Sequence, residues 1–400
     1  MKFSVLLPTR NRLEYLRYAV ETVRRQDFED WEIVISDNCS EDDIRGYVGS
    51  LGDARIKYVR TSELVPVTEN WNLALETSSG DYVVMLGDDD GLLPGYFSTL
   101  LAAMERFPDP DFIYVSALFY AYPNVLPEAP EGLLRRDQSS AFAEAMPHWL
   151  SRKHADRIAR GYLDFKMPVS SNMQFSLVSR RKIRDLSASG PFFQSPYPDF
   201  YATPALFMTS SRILIYPQPL VIIGITPKSY GFFHFNNRAA DGAKFLQNEA
   251  QLTRDSPVAS VMLPGTSYND SWLLAMEALR QSLGHAHRAR PNYRRYRFLQ
   301  IAHTYKKRYM DGALGRADLK RLQARMTSVE RFIYGASLPL GFIVLRHVPK
   351  GWRAWLVARL RGFIGQHAME SRPVGSTQFR NLIDVFESFD QRHMLTFAFD

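Results

Sequence analysis

The chain has 400 residues, of which 46% are hydrophobic and 23% charged, a composition that indicates a folded protein and excludes a largely disordered one. Its single cysteine, Cys39, excludes an internal disulfide framework and a metal site built from cysteines, and it favours the cytoplasm. The apolar run at the N-terminus is too short for a signal peptide. No apolar run reaches the length of about 18 residues that predicts a transmembrane helix.

The net charge of +7 is unevenly distributed along the chain. Residues 251–400 carry 23 Lys and Arg against 11 Asp and Glu, whereas residues 1–250 carry 26 against 31. An acidic first part suits a bound cation, and a basic last part suits an anionic surface. We therefore predict that the two parts have different tasks, and we place a basic, mainly helical region over 241–400.

In chain order, short apolar runs alternate four times in the first ninety residues with segments whose apolar residues recur at helical spacing. This alternation predicts an α/β fold with a mixed, mostly parallel sheet flanked by helices, followed by a helical C-terminal extension. A proline-rich loop is expected over 121–140 and a helical stretch over 141–166. The expected strands are 3–8, 31–36, 55–60, 82–86, 111–120, 172–178, 213–216 and 220–223, and the expected helices are 13–26, one from Ser40, 69–78, 94–106, 271–283, 293–310 and 316–334.

Three polar segments follow the first, second and fourth strands, at 9–12, 37–38 and 88–90. In open parallel sheets ligands bind beyond the carboxyl ends of the strands, so segments distant in sequence should meet at one edge. Adjacent carboxylates at Asp88, Asp89 and Asp90 suit a hard cation, Mg²⁺ or Mn²⁺, or else an exposed acidic turn. Asp37 suits a base or ribose contact, or else a turn. Arg12 and the helix start beside it suit an anion, or else solvent.

Four blocks stand in a characteristic order and spacing: Val5-Leu-Leu-Pro-Thr-Arg-Asn-Arg12, Ile33-Val-Ile-Ser-Asp-Asn-Cys-Ser40, Asn72-Leu-Ala-Leu75 and Gly80-Asp-Tyr-Val-Val-Met-Leu-Gly-Asp-Asp-Asp90. Together they resemble the family-two glycosyltransferases with the GT-A fold. The resemblance is strongest over about 1–110, extends to about 240 and does not cover the C-terminal part. It implies a catalytic domain over 1–240, with the donor side in 1–110 and the acceptor side in 111–240.

The resemblance implies a donor site, position by position. The last aspartate of an Asp-x-Asp motif, here Asp90 with Asp88 as its outer partner, is expected to bind the metal that bridges the donor diphosphate. The block before Asn72 departs from the usual Ala-Arg-Asn because Trp71 stands where the arginine is expected. The other donor-binding positions that it implies are Pro8, Thr9, Arg12, Asp37, Asn72, Asp88 and Asp89.

The resemblance also implies a catalytic base, for which Asp199 is the candidate, although Pro198 replaces the acid that usually precedes it. The alternative role for Asp199 is to cap the helix that begins near Phe200. His234 matches a late histidine that some family members supply to the metal, and the alternative is a packed core histidine.

The implied reaction is an inverting transfer of a sugar from a UDP- or GDP-sugar to a glycan or lipid-linked acceptor in the cytoplasm or at the inner face of the cell membrane. The basic, apolar segment 331–365 is expected to contact a membrane peripherally, although the sequence from 332 to 345 is too short and broken to span one. No nucleic-acid partner is expected, a homo-oligomer is left open, and the sugar, nucleotide and linkage are not determined.

Two other classes of protein compete with this interpretation. A sugar nucleotidyltransferase shares the α/β sheet and paired carboxylates, but it commonly has an early glycine-rich loop that Pro8–Arg12 lacks. A non-catalytic protein could instead use the basic C-terminal region to bind a membrane or nucleic acid, since arginines there interleave with Tyr293, Tyr296 and Phe298.

Overall fold

The structure is a computed structural model. It describes residues 1–126, 129–137, 140–229, 258–349, 351–352, 371–373 and 379–389. The chain divides into two compact units. The predicted boundary at 240 falls outside the described residues, and the sequence did not indicate that the C-terminal segment belongs to the first unit. The first unit is Met1–Ala159, Val169–Asn248 and Met369–Asp400, and the second is Arg160–Pro168 and Glu249–Ala368.

The first unit is built on one sheet, in which eleven strands lie within the described residues. All eight predicted strands have a counterpart among them. Their bounds are β1 Phe3–Thr9, β2 Trp31–Asp37, β3 Ile56–Arg60, β4 Tyr82–Met85, β5 Gly91–Leu92, β6 Phe112–Ala121, β7 Leu133–Asp137, β8 His148–Trp149, β9 Ser176–Ser179, β10 Ile213–Ile225 and β11 Ser371–Pro373.

The helices of the described residues are shared between the two units. They are α1 Leu13–Arg24, α2 Ile44–Leu51, α3 Val67–Thr77, α4 Tyr96–Arg106, α5 Arg152–Leu163, α6 Arg180–Ser187, α7 Pro198–Thr209, α8 Ser267–His287, α9 Tyr293–Tyr309, α10 Arg316–Arg325, α11 Ser328–His347 and α12 Leu382–Ser388.

The strand order is β11-β7-β6-β9-β4-β1-β2-β3, with β10 beside β6 and in turn paired to β5 and β8. The pairs β1–β2, β1–β4, β2–β3 and β6–β10 are parallel. Strand β9 joins these two parallel groups by pairing antiparallel with both β4 and β6. The predicted mixed sheet with flanking helices and a helical C-terminal region is confirmed. Every residue of β2 and β6 is buried, and most of these residues are apolar, as expected for strands covered on both faces.

Several predicted elements differ from those observed. The helical stretch expected over 141–166 is helical only over Arg152–Leu163, because strand β8 precedes that helix. Helix α2 begins at Ile44 rather than Ser40, because Asp43 caps it by accepting from the Gly46 amide at 2.8 Å. The expected loop over 121–140 contains β7, which pairs with β6. The two strands predicted around 213–223 form the single strand β10, whose register shifts between Tyr216 and Val221, where two prolines lack amide donors.

The end of the chain returns to the first unit. Strand β11 extends the sheet edge by pairing antiparallel with β7, and the hydroxyl of Tyr120 donates to the carbonyl of Phe379 at 2.7 Å. Helix α12 buries Leu382 and Val385 in a cluster that includes Leu118 and Ile222 of the sheet. The predicted C-terminal extension therefore supplies part of the core of the catalytic sheet.

The second unit has a helical core in which Ile301, Tyr305 and Leu322 are fully buried. The single helix predicted over 316–334 is two helices, because α10 ends at Arg325 and Thr327 caps a new helix with a reciprocal bond from Glu330. The new helix, α11, continues for 20 residues and is longer than the stretch from 332 to 345 that was expected to be too short and broken to span a membrane. By length and composition it could cross a membrane.

Candidate active site

Strand register brings the first two polar segments to the same edge of the sheet. Thr9 and Asp37 are direct partners in the parallel pair β1–β2. Leu6 and Met85 are partners in β1–β4, so the chain three residues further along places Thr9 beside Asp88. The hydroxyl of Thr9 donates to Asp88 Oδ2 at 2.7 Å. The convergence expected from the sequence is thus present in the fold, and Pro8 lies within β1 at this end.

Arg12 is the cationic side chain beside Asp88, Asp89 and Asp90, which we call the acidic turn. It is buried, and its Nη1 atom lies 2.7 Å from Asp88 Oδ1 and 3.5 Å from Asp89 Oδ2. Burial by itself lowers the pKa of Arg12, but the carboxylates of Asp88 and Asp89 raise it above its usual value. Both oxygens of Asp88 are thereby engaged by Thr9 and Arg12.

Asp90 is held by three donors from separate segments. The amide of Gly224 donates to Oδ1 at 2.8 Å, and the Gln174 side chain and the Gly87 amide donate to Oδ2 at 2.5 and 3.0 Å. Burial first, and the neighbouring charge of Asp89 second, raise the pKa of Asp90 well above its ordinary value. A Cβ atom at Gly224 would overlap the backbone oxygen of Asp89, so only glycine lets β10 approach the turn this closely.

Asp89 is directed toward the other side of the turn. Its Oδ2 atom accepts from the hydroxyls of Thr226, at 3.2 Å, and of Ser229. Of the six carboxylate oxygens in the turn, Asp89 Oδ1 is the one to which no hydrogen bond runs from the described part of the chain.

The turn carries more buried negative charge than its protein partners neutralise. The three carboxyl groups are 3% to 7% exposed, and Arg12 is the cationic side chain that contacts them within the described residues. No group of three or more His, Cys, Asp or Glu side chains arranged to hold a metal occurs there. Mg²⁺ and Mn²⁺ commonly need only one or two carboxylates when substrate phosphates complete their coordination. The oxygen donors and the uncompensated charge therefore fit a hard divalent cation.

Asp37 lies fully buried at the end of β2, where protein groups hold both of its oxygens. Oδ1 accepts from the Ser40 amide at 2.9 Å, and Oδ2 accepts from the Tyr58 hydroxyl at 2.8 Å and from Arg60 at 3.0 Å. Arg60 is its register partner on β3. Tyr58 and Arg60 are two residues apart on β3, so their side chains lie on the same face of the strand. This spacing is the sequence signal that could have identified them as partners of Asp37.

Asn72, predicted to bind the donor, makes its contacts to the loop before α7. Its amide nitrogen donates to the carbonyl of Phe193 at 2.9 Å, and its oxygen accepts from the amide of the same residue at 3.2 Å. One turn earlier on α3, the Thr68 hydroxyl donates to the carbonyl of Ser195 at 2.6 Å. Helix α3 thus fixes the loop that leads into Asp199.

Asp199 occupies the first turn of α7, and its Oδ1 atom accepts from the Phe200 amide at 2.9 Å. The helix cap considered from the sequence is therefore present in part. No side chain of the described residues donates to this carboxyl group, and burial raises its pKa to about 7. A carboxyl group with that pKa is suited to accept a proton near neutral pH.

A chain of contacts joins α7 to the acidic turn. The hydroxyl of Thr203 on α7 donates to the carbonyl of Ser171 at 2.6 Å, and Gln174, three residues further along, donates to Asp90. Gln174 lies in the segment predicted as a plain strand and was missed, as were Thr226 and Ser229 after β10. His234 lies outside the described residues, so its predicted role stays a prediction.

Comparison with known proteins identifies the family. Residues 4–158 match the model of glycosyl transferase family 2. This match, together with the curated glycosyltransferase relatives, assigns residues 4–158 to glycosyltransferase family 2. The prediction made from the four sequence blocks is confirmed, and the family decides against the nucleotidyltransferase and the non-catalytic binding protein.

Two curated relatives illustrate the range of similarity of this glycosyltransferase. The GalNAc(5)-diNAcBac-PP-undecaprenol beta-1,3-glucosyltransferase of Campylobacter jejuni is 28% identical over 266 residues, which cover 64% of this chain and 77% of the relative. The UDP-Glc:alpha-D-GlcNAc-diphosphoundecaprenol beta-1,3-glucosyltransferase WfgD of Escherichia coli is 28% identical over 87 residues, which cover 22% of this chain and about a third (34%) of WfgD.

Among solved structures, the chain is similar to S. aureus TarS 1–349 in complex with UDP-GlcNAc. The superposition covers 84% of this chain and 92% of TarS 1–349, with 17% sequence identity and a TM-score of 0.47.

Proposed function

We propose that this enzyme transfers a sugar from a nucleoside-diphosphate sugar, a UDP- or GDP-sugar, to a hydroxyl group of an acceptor glycan carried on a lipid diphosphate. The observation that carries the donor half is the buried acidic turn beside Arg12 at the carboxyl edge of the sheet. The names of the two relatives, both of which act on undecaprenol diphosphate-linked sugars, support the acceptor class.

The donor is proposed to bind along the edge from Asp37 to the acidic turn. Asp37, fixed by Tyr58 and Arg60, lies where a base or ribose is recognised in related sheets. Asp90 and Asp88 are the proposed ligands of Mg²⁺ or Mn²⁺, and Asp89 Oδ1 is open to the same ion. When bound, such an ion would supply positive charge to the diphosphate leaving group.

Asp199 is proposed to be the general base. Its carboxylate takes the proton from the acceptor hydroxyl as that oxygen forms a bond to the anomeric carbon. The bond between the anomeric carbon and the diphosphate oxygen breaks in the same displacement, and the electron pair leaves with the nucleoside diphosphate. A single displacement inverts the anomeric centre.

The test is a transfer assay with a panel of UDP- and GDP-sugars and undecaprenyl diphosphate-linked acceptors. We expect chelation with EDTA to abolish transfer and Mn²⁺ or Mg²⁺ to restore it, and NMR of the product to give an inverted anomeric configuration. Asp199→Asn should lower kcat at least about 100-fold, the contribution typical of a general base. The matched control, Asp185→Asn on the exposed surface of α6, should transfer normally. A retained configuration, or undiminished transfer by Asp199→Asn, contradicts the proposed mechanism.

An acceptor attached to a lipid diphosphate would bring the enzyme to the membrane that holds that lipid. We propose that it works at the inner face of the cell membrane. Cell fractionation would test this placement, with enzyme found exclusively in the soluble fraction as the contradicting result.

A further inference from the structure

Helix α11 of the second unit is apolar on two opposite sides. On one side, Tyr334, Leu338 and Phe342 follow one another at four-residue intervals and pack against the cluster containing Ile301 and Tyr305. This is the ordinary buried stripe of a helix in a soluble protein. The other side of the helix is unusual because it is equally apolar and lies exposed.

The exposed side forms a continuous stripe, which we call the outer stripe. Its six large members are 40% to 90% exposed, and the whole helix has no fully buried residue. At 100° per residue they all fall within about a third of the helix circumference, and no charged residue lies between the first and the last member on that face. The members are Val329, Phe332, Ile333, Leu340, Ile343 and Val344.

The inner side holds α11 in place along its length. Beyond the apolar packing, Arg297 of α9 makes two bonds to the Glu330 carboxylate, at 2.7 and 2.8 Å. A helix that spanned a bilayer would have to withdraw from this core and carry the Arg297–Glu330 pair with it or break it. The helix therefore suits a position in the plane of a membrane surface, with one side on the protein and the other in the lipid.

Charge favours an anionic lipid surface over a second copy of the chain as the occupant of the outer stripe. Over residues 267–347 there are 15 Lys and Arg against 5 Asp and Glu, and Arg331 and Arg346 lie exposed near the two ends of α11. Two such helices packed antiparallel would bring like charges together. Trp352, exposed beyond the helix, is of a type enriched at lipid headgroups.

We propose that α11 lies flat on an anionic bilayer, with the outer stripe inserted to the depth of the headgroups and upper acyl chains and Arg346, near the edge of the stripe, on a lipid phosphate. This attachment goes beyond the proposed transfer reaction and does not depend on it. It assigns a specific surface to the membrane contact that the sequence indicated over 331–365.

Flotation of the full chain with vesicles tests the attachment in the absence of any nucleotide sugar. We expect binding to vesicles of phosphatidylglycerol and phosphatidylcholine, weak binding to pure phosphatidylcholine, and a marked decrease at high salt. The variant Phe332→Ser/Leu340→Ser/Val344→Ser should reduce the bound fraction at least about tenfold. Its thermal unfolding should be unchanged because these side chains are exposed. The control Met146→Ser, which removes an exposed apolar side chain of the first unit, should bind like the wild type.

Three outcomes would overturn the inference. The first is equal vesicle binding by the triple variant and the wild type, or no binding by either. The second is resistance of the wild type to alkaline carbonate extraction, which would mean that α11 spans the bilayer. The third is a wild-type dimer in light scattering that the triple variant converts to a monomer without any lipid, which would make a second copy the occupant. Since no transfer is measured, none of these outcomes bears on the transferase proposal.

Discussion

At Asp199, the environment of one carboxyl group sets its chemistry. It lies at a helix start, where a hydrogen bond from the Phe200 amide stabilises the anion, yet its burial without a cationic partner outweighs that bond and raises its pKa to about 7. Asp37 is fully buried, and Arg60, Tyr58 and the Ser40 amide donate to its two oxygens. The same residue type is thus suited to proton transfer in one place and to fixed recognition in the other.

A pH profile checks this assignment of Asp199. Because the base acts when deprotonated, kcat/KM should rise with pH through about 7 and then level off, with one ionisation on the rising limb. The Asp199→Asn variant should lose that ionisation along with most of its rate. If kcat/KM of the variant still rises with pH through about 7, the ionisation belongs to another group.

The free energy of unfolding should fall with rising pH, whereas kcat/KM should rise. The folded-state pKa of Asp199 is raised above its unfolded value, so the folded state binds the proton more tightly, and stability falls as pH rises from about 4 to about 7. Asp199→Asn removes this penalty. In chemical denaturation the variant should therefore gain up to about 4 kcal/mol on the wild type between pH 4 and pH 8, whereas Asp185→Asn should follow the wild-type dependence. An Asp199→Asn variant that gains nothing would contradict the raised pKa.

Among the elements, strand β10 determines the shape of the acidic turn. It places the Gly224 amide on Asp90 and leads directly to Thr226 and Ser229, which bond to Asp89. The approach depends on the missing side chain at Gly224, where a Cβ atom would meet the backbone of the turn. Strand β10 and the turn therefore have to be considered as one structure, although 130 residues or more separate them.

The substitution Gly224→Ala should push β10 away from the turn. We expect it to weaken Mn²⁺ or Mg²⁺ activation and donor binding at least about tenfold and to destabilise the fold by about 1–3 kcal/mol, as overpacking typically does. The control Gly49→Ala lies in α2 with open space around it and should leave activity intact while stabilising the helix slightly. Assays of KM for the donor and denaturant unfolding would measure both effects. Wild-type donor binding in Gly224→Ala would contradict the role of this close approach.

Across the whole molecule, the first unit is completed by the last described segments of the chain. Strand β11 and helix α12 follow the second unit in sequence and return to the sheet, where Leu382 comes to 3.6 Å from the position of a Cβ atom on Gly91, next to the acidic turn. The second unit is therefore an insertion in sequence between parts of the first.

Leu382→Ala tests the contribution of this return. Leu382 is fully buried, so the substitution should leave a cavity behind the acidic turn and cost about 2–5 kcal/mol of unfolding free energy. Glu387→Ala on the same helix removes only the surface pair with Arg25 and should cost less than about 1 kcal/mol. Equal, small effects of the two substitutions would show that α12 contributes little to the first unit.

Local periodicity predicts the alternation of strands and helices. The geometry of parallel sheets predicts that Thr9, Arg12, Asp37 and the acidic turn converge at one edge, because it places strand ends together whatever surrounds them. The family followed from the resemblance of the four sequence blocks. Only the tertiary structure decided the partners of each carboxylate: Gln174, Gly224, Thr226 and Ser229 reach the turn from segments with no local signal of it. Tertiary packing also decided that α11 is one helix with one side on the core and one exposed, and that residues 371–373 and 382–389 pack on the first unit, because such contacts depend on which surfaces meet after folding.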